Sequence, residues 1–361
     1  MKMNRKAICI IVALSMSLVL VPVLGVYAEK EMPLGTYMTL IDENNNVVLQ
    51  TGTLVTVGDQ YISADNSRYM VKEVINNTAR CVYQGKEKMP TVSFDRKKNA
   101  WLFDNSPVPV VSSKKPTIAL YHTHSDESYI PNDGKESING NGGIYDVGQA
   151  LNKKLKGLGF NVVYNKNNHN PHDINAYNRS RRTAASLIKQ RPDAIIDVHR
   201  DAVPASQYQT QVKGQEVTKV KLVVGSQNPN MKTNLEFAKR LKSVMDRKDP
   251  GLSNGIYIGK GDYNQDLSPR AMLIEVGAHT NSKNEAEKGV MLFANTLPTV
   301  LGVSSDNSVN KTGTASSKAS PAKKPLSNEN STAGTTIAII LTVVAAVIAG
   351  YYWLNRRTSA K

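Results

Sequence analysis

The chain has 361 residues, with 45 Lys and Arg against 30 Asp and Glu, a formal net charge of +15. Hydrophobic residues at 40% and charged residues at 21% exclude wholesale disorder, and a length divided at roughly 100–200 residues per domain admits one to three domains. The 2 cysteines, one of them inside an apolar N-terminal run, exclude a disulfide scaffold and a cysteine-rich zinc site, so any metal must be held by His and carboxylates.

Residues 1–28 open on Lys2, Arg5 and Lys6 and continue as an almost unbroken apolar run from Ala7 to Val26. A basic start, an apolar centre and Val26-Tyr27-Ala28 before Glu29 predict a secretory signal cleaved after Ala28, with retention as an anchor the alternative. Residues 29–85 read as a small β-rich module: Tyr37–Ile41, Asn46–Gln50 and Thr53–Val57 are strand-like runs between turns of Asn, Asp and Gly. No catalytic constellation falls within it, and Cys81 there reads as a small buried residue. Residues 86–115, with Pro90, Pro107 and Pro109, read as a linker.

From Thr117 the pattern becomes strand–helix alternation. Strands are predicted at 117–121, 160–164, 194–198, 219–225 and 271–277. Helices are predicted at 147–158, 179–189, 234–245 and 285–297, the first carrying a stripe of Val147, Leu151, Leu155 and Leu158. The expected fold of residues 116–302 is therefore α/β, a mainly parallel sheet with helices on both faces. Residues 303–334, rich in Ser, Thr, Lys and Asn, read as a flexible stalk. Residues 335–354 carry no charge and match the roughly 20 residues that span a bilayer, which predicts a C-terminal transmembrane helix with residues 355–361 as a cytoplasmic tail. Arg356, Arg357 and Lys361 then place residues 29–334 outside the cytoplasmic membrane. That placement makes a nucleic-acid partner improbable despite the charge, part of which is merely linker and stalk lysine.

In open α/β sheets, functional groups gather beyond the carboxyl ends of the strands. Three predicted strands end in such groups: His122-Thr-His124-Ser-Asp-Glu127 after the first, His199-Arg200-Asp201 after the third, and Glu275 on the last. Two His and a carboxylate with an open fourth position form a common catalytic zinc shell, and a separate carboxylate can then move the proton from water to a leaving amine. His122 and His124, Glu127, His199 and a spare Glu275 fit that inventory, with either or both of the first two His as ligands. A serine mechanism lacks a Gly-x-Ser-x-Gly elbow. His169 and His172, in a polar loop, read as loop-structuring rather than as ligands.

Together, His122–Tyr129, His172-Asp173 with Tyr177-Asn178, Asp197–Ala202, Tyr263–Pro269 and Ile274–Gly277 resemble the stage II sporulation protein P family, over roughly residues 117–302. The family in turn resembles zinc-dependent N-acetylmuramoyl-L-alanine amidases. The resemblance implies Zn2+ held by His124, Glu127 and His199, with Asp146 the alternative carboxylate ligand. It implies Glu275 as catalytic base and acid, and His122 as a further catalytic-site residue that orients a ligand or replaces one. Arg200, Asn264 and Gln265 become candidate substrate contacts. The expected activity is hydrolysis of the amide between N-acetylmuramic acid and L-alanine in peptidoglycan, during engulfment and beside stage II sporulation proteins D and M. A cross-link endopeptidase and a catalytically silent wall-binding scaffold are the alternatives.

Overall fold

The structure, a computed structural model, describes residues 31–33, 35–92 and 115–302. In chain order the strands are β1 (Met38–Ile41), β2 (Val47–Thr51), β3 (Gln60–Ile62), β4 (Ser67–Ile75), β5 (Thr78–Lys86), β6 (Thr117–Tyr121), β7 (Asn161–Tyr164), β8 (Ala194–Asp201), β9 (Gln209–Val212), β10 (Gln215–Thr218), β11 (Val220–Gly225), β12 (Ser253–Gly259) and β13 (Ala271–Ala278). The α-helices are α1 (Ile130–Asp133), α2 (Ile144–Gly157), α3 (Ala176–Ile188), α4 (Met231–Lys248), α5 (Lys283–Ala294) and α6 (Leu297–Leu301). Strands β9 and β10 form a separate hairpin, and the other strands make one 11-stranded sheet in the order β2-β1-β5-β4-β3-β12-β11-β13-β8-β6-β7.

This sheet corrects the expected fold in two respects. The N-terminal strands do not form a module ahead of the α/β domain. They extend its sheet, because β3 pairs antiparallel with β12 through Tyr61↔Tyr257. The sheet is also mixed rather than mainly parallel. The pairings β7–β6, β6–β8, β8–β13, β11–β12 and β1–β5 are parallel. The pairings β13–β11, β12–β3, β3–β4, β4–β5 and β1–β2 are antiparallel.

The predicted C-terminal transmembrane helix is a third correction, since no helix among the described residues is long and apolar enough to cross a membrane. Residues 335–354 lie outside the described residues, as do the signal, the stalk and most of the linker. The start of that linker is docked: Glu87 pairs with Arg68 at 2.6 Å and Lys239 at 2.5 Å, and Ser243 donates to the Pro90 carbonyl at 2.7 Å.

Strand alternation divides the sheet into two faces. On one, Ile118, Leu120, Ile196, Val198, Leu222 and Ile274 pack beneath α2, α4 and α5, through Leu151, Leu155, Leu241, Met245 and Phe293. Fully burying a side chain of this size stabilises by about 1.5–3 kcal/mol, so this face supplies most of the core. On the other face, α3 packs through Ala184 and Leu187 in a smaller cluster with Ala119, Tyr121, Ile195 and Ala271. The remainder of that face, at Val223, Tyr257 and Leu273, is covered by Met38, Leu40, Leu49, Val71 and Cys81 of the N-terminal strands. Helices thus lie on both faces as expected, but the N-terminal strands complete the second. Their turn reaches the end of β8, where Gly52 is required: a Cβ there would meet the Ala202 Cβ at 2.7 Å.

Candidate metal centre

Strands β6, β8 and β13 run parallel, so their carboxyl ends share one edge, and the buried polar groups collect there. β6 stops at Tyr121, and the loop that follows folds back over the end of β8. The loop is held by the Tyr129 hydroxyl donating to the Val276 carbonyl at 2.7 Å and by the Ile130 N–H donating to His279 at 2.8 Å. Arg200 clamps it from below, donating to the Ser128 carbonyl at 3.3 Å and to that of Glu136 at 2.9 Å.

Inside this loop, Glu127 faces two imidazoles at once. Its Oε1 lies 3.2 Å from His124 Nδ1 and 3.3 Å from His199 Nδ1, while its Oε2 accepts the Arg200 N–H at 2.9 Å. Burial would raise the Glu127 carboxyl, but His199, His124 and Arg200 hold it well below the usual carboxylate range. Asp197 backs His199: its Oδ1 lies 3.0 Å from Nε2 and accepts the Thr123 N–H at 2.8 Å. A carboxylate behind the far nitrogen fixes the ring so that Nδ1 faces the site. Tyr177 lies nearly parallel to the His199 ring, with centroids 6.4 Å apart, and edge-on to His124 at 5.5 Å.

Two further residues, neither expected from sequence, complete the cluster. His172 stacks on His124 with ring centroids 3.9 Å apart. Its Nδ1 lies 3.1 Å from both Asp126 oxygens and its Nε2 lies 2.9 Å from Glu31 Oε2. Burial opposes the charged ring, but Asp126 and Glu31 lift its pKa to about 10. Glu31 precedes β1, makes an isolated bridge to Thr53, and brings Oε1 to 3.0 Å from His124 Nδ1. Burial alone would raise the Glu31 carboxyl, whereas His124 and His172 hold it well below its usual range.

Donor atoms of Glu31, His124, Glu127 and His172 all lie within 4.8 Å of one another, and His199 joins the group through Glu127. One of these contacts is short without being aligned as a hydrogen bond: His172 Nε2 is buried with no hydrogen-bond partner among the described residues although a Glu31 oxygen lies 2.9 Å away. Nitrogen and oxygen atoms that converge without a shared proton are what a divalent ion would draw together, and an all-imidazole and carboxylate set suits zinc. The residues present fit the ion.

Glu275 stands beside this group, register-paired with His199 on one side and Lys221 on the other. It is buried and its Oε2 has no hydrogen-bond partner among the described residues. Burial and the neighbouring Asp201 push its pKa well above the usual value, against the pull of Lys221 and His199.

The other expected site residues are placed elsewhere. His122 turns to the opposite face of the sheet, with Nδ1 donating to the Val198 carbonyl and Nε2 facing the Tyr164 hydroxyl, each at 2.8 Å. Burial drives its pKa down to about 4, so it is a neutral packing residue with both nitrogens occupied and no reach to the cluster. Asn264 donates to Ser180 Oγ at 3.0 Å, and Gln265 spans the Gly225 N–H and Val223 carbonyl at 2.9 and 2.8 Å. With Arg200 held by the loop carbonyls, these polar ends serve the fold and are not free to meet a substrate. Asp146 is largely exposed and pairs with Lys283 at 2.7 Å, outside the donor group. His169 bonds the His122 carbonyl and Thr183 at 2.7 and 2.8 Å, a loop-structuring residue as read from sequence. His172, read the same way, instead enters the cluster.

Comparison with known proteins was made with this geometry in hand. The family model "Stage II sporulation protein P" matches residues 39–298, and the chain belongs to that family. It is 28% identical over 201 residues to Stage II sporulation protein P of Bacillus subtilis (strain 168), covering 50% of each protein. The chain thus spans about half the length of the curated relative it matches. Among solved structures it is similar to the N-acetylmuramyl-L-alanine amidase Ami1 from Mycobacterium smegmatis, at 18% identity and TM-score 0.34, covering 52% of this chain and 94% of that one. It is likewise similar to the CwlD amidase from Clostridioides difficile, solved in complex with the GerS lipoprotein, at 15% identity and TM-score 0.35, covering 53% and 100%.

Proposed function

From that membership and from the donor group above, we propose that this protein is a zinc-dependent peptidoglycan hydrolase of sporulation that cleaves the amide between N-acetylmuramic acid and L-alanine. The observation that carries the reading is the single Glu127 oxygen shared between His124 and His199, with Glu275 register-paired to His199 beside it. His124, Glu127 and His199 would hold zinc, with Asp197 orienting His199 from behind. Zinc bound there supplies an activated water and a polarised carbonyl.

The chain's own groups do the rest. Glu275 would take the proton from the attacking water at its unpartnered Oε2 and pass it to the leaving amine. Tyr177 packs against both imidazoles and keeps them in place. Removing water from around Glu127 and Glu275 strengthens their electrostatic interactions with the reacting groups.

The reading places the protein outside the cytoplasmic membrane, where a chain with a formal charge of +15 meets an anionic wall and binds it in a salt-sensitive way. Work beside stage II sporulation proteins D and M belongs to the same proposal. The test is incubation of the protein with purified peptidoglycan, with and without a chelator. Release of peptides with a new L-alanine amino terminus, abolished by the chelator, is the expected result. A new amine elsewhere in the stem would make it an endopeptidase, and wall binding with no release would make it a scaffold.

A further inference from the structure

Glu31 has no part in the chemistry above, yet its carboxylate lies 3.0 Å from His124 Nδ1, nearer than the 3.2 Å of Glu127. Zinc sites that only support a fold are closed by four protein donors, whereas catalytic sites keep one position open. Glu31 lies against His124 and keeps a donor atom within 4.8 Å of Glu127, so it is placed to add a fourth donor to His124, Glu127 and His199. Donors on a tetrahedral ion with bonds of about 2.0–2.1 Å are spaced by about 3.4 Å, and the Glu31, His124 and Glu127 atoms already approach that spacing.

The placement of Glu31 is built into the fold. It bridges to Thr53, and the adjacent Met32 N–H donates to the Gly52 carbonyl at 2.7 Å. The Gly52 N–H donates to Asp201 Oδ1 at 2.7 Å, two residues beyond His199 on β8. Asp201 in turn is fixed by the buried Lys221 ammonium and by the Tyr208 hydroxyl at 2.8 Å. The second Glu31 oxygen meets His172, which Asp126 holds from the other side.

Exposure separates the two carboxylates. The Glu127 side chain is 2% exposed and that of Glu31 31%. Glu127 is built in, and Glu31 comes from the solvent side, the direction from which a substrate must arrive. We propose that Glu31 is a displaceable fourth ligand: residues 31–33 form a strap that closes the metal centre in the resting protein, and the substrate amide enters by taking the carboxylate's place. The inference rests on the zinc-hydrolase reading of the same site, and it gives that hydrolase a restraint carried on its own chain.

The experiment uses the full chain loaded with Co2+ and azide as the probe of an open position, comparing wild type with Glu31→Gln and Glu31→Ala. Both variants are expected to show an azide-dependent change in the visible spectrum at about tenfold lower azide than wild type, as follows if the strap occupies the site most of the time. Peptide release by the zinc-loaded variants is expected to rise. An identical azide response in wild type and variants overturns the proposal, as does a response altered only in Glu31→Ala, which would mark lost packing. Should no form release peptide while the azide responses differ, the hydrolase reading fails and the ligand assignment stands.

Discussion

Glu275 on β13 and His199 on β8 are register partners across a parallel pairing, so a buried carboxyl and a buried imidazole share one face of the sheet at its carboxyl edge. The sheet itself therefore fixes their separation, and no mobile loop is needed to bring Glu275 to the donor group. Glu275→Gln keeps the shape and removes the proton acceptor. It is expected to lower peptide release by about 10²–10⁴-fold while leaving zinc content unchanged, measured on the same preparation.

Lys221 is buried on β11 and its only carboxylate partner among the described residues is Asp201, equally buried. Lys221→Met leaves the Asp201 charge unpaired and is expected to cost about 3–5 kcal/mol in denaturant unfolding. Asp201→Asn added to that variant should recover much of the loss, because no lone charge then remains buried. Equal instability of the single and double variants would show that the pair matters through packing instead.

Part of this site was legible because β6, β8 and β13 are apolar runs with His or carboxylate residues within or just beyond their carboxyl-terminal halves, and such runs announce their own ends. His124, Glu127, His199 and Glu275 follow from that. His122 was misplaced for a physical reason: strand alternation would send it the way of His124, but β6 ends at Tyr121 and the chain leaves the sheet between them. Periodicity also reports which face a strand buries and not which edge it joins, so the pairing of β3 with β12 was invisible. Glu31 and His172 reach the site only through that pairing and through a loop fold. Asp197 was readable in principle, since residues 197 and 199 of one strand share a face.

Gly148 on α2 is where the helix lies against His122, and an added Cβ would sit 2.5 Å from its Nε2. Gly148→Ala is expected to destabilise by about 1–3 kcal/mol through overpacking, seen as a lower denaturant midpoint. Zinc bound per folded molecule should not change, because His122 is no part of the donor group.

Glu87 ties the end of the N-terminal strands to α4 through Arg68 and Lys239. Burial raises its carboxyl, but the two cations hold it below the usual value. A carboxyl depressed in the folded state stabilises fully above its unfolded pKa of about 4.3, and that contribution is lost as pH falls through the lower folded value. Glu87→Gln is expected to flatten that part of the stability curve, followed by thermal unfolding between neutral and acid pH.

The most direct measurement is zinc content, by elemental analysis, of the purified wild-type protein and of His124→Ala. About one zinc per chain in the wild type, lost in His124→Ala with the fold intact by circular dichroism, is the result expected of a three-residue protein shell. A wild-type protein that binds no zinc, or a His124→Ala variant that retains it, would contradict the metal centre on which the proposed hydrolysis depends.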